Sequence, residues 1–272
     1  MAEQPENNSP KKRKTRPNKD IGPILDGWEY EPGTINVRKI LGADGLPKLQ
    51  MRLDLGLLQM ELRGRPDGAR PHGHESLLEY YEDRLKDHNT KNGTELGFHL
   101  TPAQCQSLRE EALMYYHRYL GLFVLGDFAA VARDTNRNLR VLDMCVRFGE
   151  EEQDRLVLEQ YRPYIVMMNT RALASIQCKR ENYRKAMSIV RKGLLEIRTF
   201  FERFGKPEVY RKSNEARILK RLGREIREHL PVDVMKTLNK QLGKAIQAEH
   251  YEEAARLRDE IARLTSGGEP RA

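Results

Sequence analysis

The sequence has few cysteines, few aromatic residues and no long apolar run. Its three cysteines, Cys105, Cys145 and Cys178, lie far apart without a CxxC pair, which excludes a disulfide-stabilised scaffold and a cysteine-rich zinc finger. No run of about 18 uncharged apolar residues is present, so no transmembrane helix is predicted. The N-terminus lacks the apolar segment of a secretory signal. These absences predict a cytoplasmic protein that does not contact a membrane.

Patterns typical of enzymes and cofactor sites are also missing. The phosphate-binding pattern GxxxxGK(S/T) occurs nowhere in the chain. His72 and His74 lie in a loop over residues 64–75, but a zinc site needs three or four ligands and no second cluster accompanies them. An enzyme acting at this loop is an alternative that lacks a catalytic constellation. We therefore expect a protein that is not an enzyme and needs no cofactor or metal.

The 272 residues suit one large domain or two small ones with tails. The composition is 39% hydrophobic and 32% charged, with a net charge of +8, which excludes a membrane protein and a wholly disordered chain. Residues 1–22 are polar and contain a basic run over residues 11–14, so we predict a disordered basic tail that attracts polyanions weakly. Residues 266–272 are predicted to form a second disordered tail.

Residues 23–74 are predicted to form a small β-hairpin module followed by a Gly/Pro-rich loop. Apolar and polar residues alternate on both sides of a turn signal at residues 42–45, which is typical of a hairpin. Gly56 marks a bulge or the start of another strand over residues 57–62. The role of the segment 49–74 stays open at this stage.

Residues 75–230 show helical periodicity and are predicted to form a stack of helical hairpins, so the fold class is mainly α. Thr101 and Gln104 form a capping-box pattern with a proline between them. The predicted helices cover residues 101–125, 128–149, 151–179 with a kink at Pro163, 183–205, and a further stretch that begins after Pro207.

Two of the helix junctions resemble each other. Phe128 and Tyr183 each follow a small or polar turn, and each is followed three positions later by a small or apolar residue, Val131 or Ala186. This arrangement resembles tetratricopeptide-type helical hairpins, although the two junctions are 55 residues apart, against a repeat of about 34 residues in that family. The resemblance implies hairpins with longer helices.

Residues 231–265 are predicted to form a last helical hairpin. Apolar residues cover about a third of the first helix and about half of the second, and one partner helix cannot bury so wide an arc. Tyr251, Ala255 and Ala262 are therefore predicted to face a second surface, whereas the stripe of the first helix, including Ile246, is predicted to be covered by one neighbour. Arg258 lies inside the apolar arc and is expected to need an acidic partner.

The charges of this hairpin favour a protein partner. Residues 233–264 contain six basic and six acidic residues, so the segment has no electrostatic reason to bind a polyanion. An apolar arc with one embedded charge suits a protein surface, where charge complementarity sets specificity.

The same segment resembles the UVR motif, the helical hairpin of the excinuclease subunits UvrB and UvrC and of regulators of the ClpC protease. The residues that carry the resemblance are Leu238, Leu242, Ile246, Tyr251, Glu252, Ala254, Ala255, Leu257, Arg258, Asp259 and Ile261. In that family the hairpin pairs with another UVR hairpin, in a homodimer or in a partner protein. The resemblance implies a docking surface that comprises Leu238, Leu242, Ile246, Tyr251, Ala254, Ala255, Leu257, Arg258, Asp259, Ile261 and Ala262. It also implies a link to DNA repair or protein quality control. The alternative is a hairpin that only caps the helical stack.

A basic stretch over residues 203–227 supports a different function. It contains nine basic and three acidic residues. On a helical wheel one arc collects the basic residues Arg217, Lys220, Arg221, Arg224 and Arg227, opposite Leu219, Leu222 and Ile226. An outward-facing basic stripe can contact phosphates, so the alternative function is nucleic-acid binding through a basic helix over residues 211–227 and the N-terminal tail. A solvated charged face explains the same pattern, and no aromatic residue is interleaved for base stacking.

Overall fold

The computed structural model describes residues 20–230 and 234–266, and it divides the chain into two compact units, Met1–Glu159 and Gln160–Ala272. The fold is mainly α, with a small antiparallel sheet in the first unit, as predicted. The predicted tails, residues 1–22 and 266–272, lie almost wholly outside the described residues. Over the described part of the chain, no helix is both long and apolar enough to cross a membrane.

The first unit begins with a short helix and a three-stranded sheet. These elements are α1 (Gly22–Leu25), β1 (Val37–Leu41), β2 (Pro47–Arg52) and β3 (Leu57–Glu61), with the strand order β1-β2-β3. The predicted hairpin is confirmed, because Lys39 lies opposite Leu49 and the turn contains Gly45 with φ of 75°. The further strand expected after Gly56 is confirmed as β3, which pairs antiparallel with β2.

Burial along β2 does not follow the alternation of apolar and polar residues in the sequence. The central position of this strand buries both faces, so that Gln50 is as inaccessible as Leu49 and Met51. Gln50 accepts a hydrogen bond from Arg38 Nε at 2.8 Å and donates one to Gln59 Oε1 at 2.9 Å, which satisfies the buried amide. Leu55, which continues the alternation in the sequence, lies beyond the end of β2 and is 89% exposed.

The rest of the first unit consists of helices. They are α2 (Leu77–Asn92), α3 (Pro102–Val124), α4 (Phe128–Phe148) and α5 (Glu152–Leu156). The capping box is confirmed, since Thr101 Oγ1 accepts from the Gln104 amide at 3.4 Å and Gln104 Oε1 accepts from the Thr101 amide at 3.0 Å. The core between α2, α3 and α4 is apolar and comprises Leu78, Tyr81, Leu100, Cys105, Leu108, Ala112, Val141, Met144, Cys145 and Phe148.

The second unit contains a three-helix layer and a separate hairpin. Its helices are α6 (Arg162–Lys179), α7 (Tyr183–Arg203), α8 (Pro207–Lys212), α9 (Asn214–Glu228), α10 (Val234–Gln247) and α11 (Tyr251–Ser266). Helices α6, α7 and α9 each pack on the other two. The close approach of α6 and α7 depends on Gly193, because a Cβ there would lie 2.2 Å from Thr170 Oγ1.

Two predicted helices are interrupted. The expected helix over residues 151–179 consists of α5, a 3-10 turn at Glu159–Tyr161 and α6. Pro163 lies in the first turn of α6, where backbone amides make no hydrogen bond within the helix, so the missing amide hydrogen of proline costs nothing. Pro163 therefore lies at the start of a helix, and the predicted kink is wrong. The expected basic helix over residues 211–227 is interrupted at Ser213, whose Oγ accepts from the Ala216 amide at 3.2 Å and caps α9.

The two similar junctions have the same construction. Gly126 and Glu181 both adopt positive φ, 70° and 55°, immediately before the capping residues. Asp127 accepts a hydrogen bond from the Ala130 amide, and Asn182 accepts one from the Lys185 amide. Helices α3 and α4 form one hairpin and α6 and α7 another, while the tetratricopeptide-like assignment stays a prediction.

Candidate functional site

The C-terminal hairpin is formed by α10 and α11, which a tight turn joins. Glu249 adopts a φ of 59° in this turn, and the His250 amide donates to the Ala245 carbonyl at 2.9 Å. The two helices pack extensively on each other. Over the described residues, neither helix makes more than isolated contacts with α6, α7, α8 or α9. The hairpin is thus stabilised mainly by its own seam.

The seam between α10 and α11 contains two buried alanines among larger apolar residues. Leu238, Ala245 and Ala254 are buried in it, with exposures of 7%, 5% and 8%. Three larger side chains at its margins are half-buried, namely Leu242, Leu257 and Ile261. Small residues at the centre let the two backbones approach closely, so the larger apolar side chains are only partly covered.

One side of the hairpin carries uncovered apolar residues. Tyr251 is 69% exposed, and Ala255 and Ala262 are also exposed. At about 100° per residue these three lie about 60–100° around α11 from Ala254. Ile246 lies about 80° around α10 from the seam residue Leu238, counted in the same direction along the chain. In an antiparallel hairpin, residues that are rotated equally from the seam lie on the same side of the two helices. We call these four residues the open face.

The prediction that a single neighbour covers the stripe of the first helix is wrong for Ile246, which is 55% exposed. It lies in the last turn of α10, and its rotation away from Leu238 takes it outside the seam. Its exposure enlarges the open face.

Arg258 and Asp259 add charge beside the open face. Both side chains are exposed, and Arg258 Nη2 lies 3.3 Å from Asp259 Oδ1. The acidic neighbour expected for Arg258 is therefore the next residue in the chain, and the pair lies at the surface. The exposed residues on the opposite side of the hairpin are polar or charged at Thr237, Lys244, Glu253 and Glu260. The two sides of the hairpin thus differ in polarity.

The predicted basic stripe lies on α9, and its apolar backing is confirmed. Leu219 and Ile226 are 0% and 2% exposed, whereas Leu222 is half-buried. All five basic residues of the stripe are exposed. Four of them line a groove between α7 and α9, namely Arg217, Lys220, Arg224 and Arg227. The fifth, Arg221, lies outside the groove and approaches Glu225 at 3.8 Å.

Sequence reasoning missed a buried charged cluster in the first unit. Glu111 is 0% exposed, and its carboxylate accepts from the amides of Leu77 and Leu78 at the start of α2, at 2.8 and 3.4 Å. Arg65 lies 3.6 Å from the same carboxylate, and Arg137 forms an ion pair with it. Burial lowers the pKa of Arg137 to about 9. Glu111 thereby connects Arg65 of the loop and Arg137 of α4 to the start of α2.

A second buried pair fixes the loop that follows β3. Arg118 binds both oxygens of Asp134 at 2.7 and 2.8 Å, and its Nη1 donates to the Glu61 and Gly64 carbonyls. Arg133 donates to the Leu62 carbonyl at 3.0 Å. The segment after β3 is therefore held by cations of α3 and α4. The sequence carries a signal for this, because Asp134 and Asn138 interrupt the apolar stripe of α4 at helical spacing.

The loop histidines take part in local packing. His72 stacks on Tyr80 with 4.1 Å between ring centroids, and His74 Nε2 lies 3.2 Å from Asp83 Oδ2. Across the residues that the structure describes, no group of three or more His, Cys, Asp or Glu side chains is arranged to hold a metal ion.

One protein-family model matches part of the chain. The model of the UVR family, the UvrB/uvrC motif, matches residues 233–265, which span the α10–α11 hairpin. No curated protein and no solved structure gives a match. The resemblance stated from the sequence is confirmed: the C-terminal hairpin of this chain carries a UvrB/uvrC motif.

Proposed function

We propose that this protein is a non-enzymatic cytoplasmic adaptor that docks a partner protein through the open face of its UVR hairpin. The observation that carries the proposal is that the UVR match falls on a hairpin with uncovered Ile246 and Tyr251 on one side. Exposed apolar surface of this kind, with polar residues around it, is typical of protein interaction sites. The small side chains of Ala255 and Ala262 allow a partner helix to approach closely.

The charge of the hairpin supports a partner of similar construction. Residues 233–265, which the UVR model matches, have no net charge, and the pair of Arg258 and Asp259 presents one cation and one anion to a partner. A second UVR hairpin, in another copy of this chain or in a different protein, offers a matching apolar side and the opposite order of charges. UVR motifs occur in DNA repair proteins and mediate protein interactions, so we place the adaptor in DNA repair or protein quality control.

The alternative is that the hairpin caps the helical layer of the second unit. A cap buries its apolar side against the layer it covers. The described parts of α10 and α11 make few contacts with α6–α9, and Tyr251 is 69% exposed. These observations favour docking over capping.

Ala255→Glu tests the proposal. The substitution places a charge where a partner helix must approach, so we expect association to weaken by several kcal/mol. The free chain is expected to keep its stability because Ala255 is exposed. Self-association is measured by sedimentation, and capture of UVR-bearing proteins by affinity purification from native extract.

Two further variants make this test specific. Thr237→Glu adds the same charge on the opposite side of α10, where Thr237 is exposed, and is expected to leave association intact. Leu242→Ala removes part of the seam and is expected to lower the free energy of unfolding of the hairpin by about 1–2 kcal/mol, since Leu242 is only half-buried. If Ala255→Glu destabilises the dilute chain as much as Leu242→Ala does, the capping interpretation is correct.

A further inference from the structure

Helices α7 and α9 leave a groove of about 590 Å³ between them, outside the UVR hairpin. The four basic residues of α9 named above line it, Arg191 projects from α7, and Arg211 and Lys212 contribute from the end of α8. None of the described residues that line the groove carries a carboxylate. Seven cations from three helices therefore surround one cavity. The helical periodicity of α9 accounts for only four of them.

The floor of the groove is apolar. Met187 and Val190 lie on it with exposures of 5% and 1%, and half-buried Leu194 continues it along α7. Gly223 brings the backbone of α9 close, since a Cβ at this position would lie 3.4 Å from Val190 Cγ1. The groove thus combines an apolar floor with cationic walls.

Most of the lining cations are not neutralised by the protein itself. Over the described residues, Arg191, Arg211, Lys212, Arg224 and Arg227 have no acidic partner within 4.0 Å. Lys220 lies over the Tyr210 ring at 5.0 Å, and Arg217 contacts the neutral amide of Asn214. Outside the groove, by contrast, Arg221 and Arg198 each have a glutamate partner. The groove is therefore a focus of positive potential.

We propose that this groove binds the phosphate backbone of a single nucleic acid strand. Arg217, Lys220, Arg224 and Arg227 recur over ten residues of α9, which corresponds to a row of about 15 Å. Each nucleotide carries one charge and one base with a flat π-face that packs on apolar surface, and this combination matches cationic walls above an apolar floor. The arginines supply planar forks suited to phosphate.

Competing occupants fit the groove less well. A run of acidic residues in a polypeptide supplies charge without an apolar group for the floor formed by Met187 and Val190. The volume is that of an ordinary ligand pocket, which is too small for a duplex. Strand binding here is independent of the docking function, because none of the described residues that line the groove belongs to α10 or α11.

The test uses the full-length chain and a fluorescent oligodeoxythymidylate, with anisotropy measured over a series of salt concentrations. The groove variant Arg191→Gln/Arg224→Gln removes one cation from each wall. The control Lys192→Gln/Arg221→Gln makes the same charge change at adjacent positions of the same two helices, outside the groove. The N-terminal basic run is present in all proteins, so it contributes equally.

We expect the groove variant to bind about tenfold more weakly and to flatten the logarithmic salt slope by about 1.4, because each single-strand phosphate contact contributes about 0.7. The control is expected to change affinity less than about twofold. A charge-preserving variant, Arg191→Lys/Arg224→Lys, is expected to keep most of the binding. An oligouridylate of equal length shows whether RNA or DNA binds more tightly, and either result supports the proposal.

Three results would overturn it. Equal losses in the groove variant and the control would assign binding to overall charge. Undiminished binding by the groove variant would show that the strand lies elsewhere. Polyglutamate that displaces the oligonucleotide at equal charge concentration would identify an acidic polypeptide as the occupant. Matching thermal melts of all variants are expected, since the four substituted side chains are exposed.

Discussion

Arg118 joins three parts of the first unit through one side chain. It binds both oxygens of Asp134 on α4 and donates to two backbone carbonyls, that of Glu61 at the end of β3 and that of Gly64 in the loop that follows. Both members of the pair have side chains that are 1% exposed. A buried ion pair is tolerated when its remaining hydrogen-bonding groups are satisfied, and the two carbonyls meet that requirement here.

We predict that Asp134→Ala lowers the free energy of unfolding by about 3–5 kcal/mol, because it leaves the Arg118 cation buried without a carboxylate. Urea denaturation measures the change. Glu82→Ala removes a more exposed ion pair with Arg140 and is expected to cost less than about 1 kcal/mol. Equal effects of the two substitutions would show that Asp134 is not a principal support of the loop.

Tyr115 gives the first unit a pH dependence in the alkaline range. The guanidinium groups of Arg137 and Arg118 lie over its ring at 4.1 and 4.6 Å. Burial raises the pKa of Tyr115 to about 12 from its usual value of 10.0. The folded chain therefore holds this proton where the unfolded chain has released it. This contribution to stability is complete below pH 10 and is lost as the pH rises toward 12.

The expected loss between pH 10 and 12 is about 2–3 kcal/mol from Tyr115 alone. It is measured as the difference in urea stability between the wild type and Tyr115→Phe over this range, because other alkaline effects are common to both proteins. Parallel stability curves for the two proteins would contradict the raised pKa.

The buried charges could not be predicted from the sequence. Glu111, Arg118 and Arg137 stand among many charged residues on α3 and α4, and a charged residue on a helix is usually at the surface. Their burial depends on the segment after β3, which folds over them from a distant part of the chain. Only Asp134, which interrupts an apolar stripe, carried a local signal.

At the scale of elements, helix ends with side-chain caps were predictable and breaks inside long periodic stretches were not. Thr101 and Asn182 cap their helices through contacts within three residues, so the sequence contains the whole interaction. Pro163 and Ser213 are compatible with a kink, a start or a continuation. The choice among these depends on how α6 and α9 pack on α7, which is non-local information.

Two glycines of the second unit are predicted to respond oppositely to alanine. Gly193→Ala drives a methyl group into Thr170 and is expected to lower the free energy of unfolding by about 1–3 kcal/mol. Gly243 lies within α10, and a Cβ added there would meet none of the described residues within 4 Å. Gly243→Ala is therefore expected to raise the free energy of unfolding by about 0.5–1 kcal/mol. Thermal unfolding followed by circular dichroism measures both.

Gly243→Ala also separates stability from docking. By helical rotation Gly243 flanks the open face of the hairpin, on the side of Ile246. A methyl group there is expected to hinder a close-packed partner helix even as it stabilises α10. A variant that gains both stability and association would show that partners do not approach α10 at this position.

At the scale of the whole molecule, the charge is unevenly distributed. Residues 233–265 have no net charge, whereas residues 203–227 have a net charge of +6, against +8 for the whole chain. The second unit thus combines an exposed apolar side on the hairpin with a cationic groove between α7 and α9. Together, the two proposals describe an adaptor that binds a UVR-bearing partner through α10 and α11 and a nucleic acid strand through α7 and α9.

Truncation after Val232 tests this separation in one protein. A hairpin that capped α6–α9 would contribute several kcal/mol to the remaining layer, and for a unit of this size each kcal/mol shifts the melting temperature by about 4–8 °C. Because α10 and α11 make few contacts with that layer, we expect a shift below about 4 °C, measured by calorimetry. Oligonucleotide affinity is expected to persist and association with UVR hairpins to disappear. A much larger loss of melting temperature would mean that the open face is covered by the chain itself.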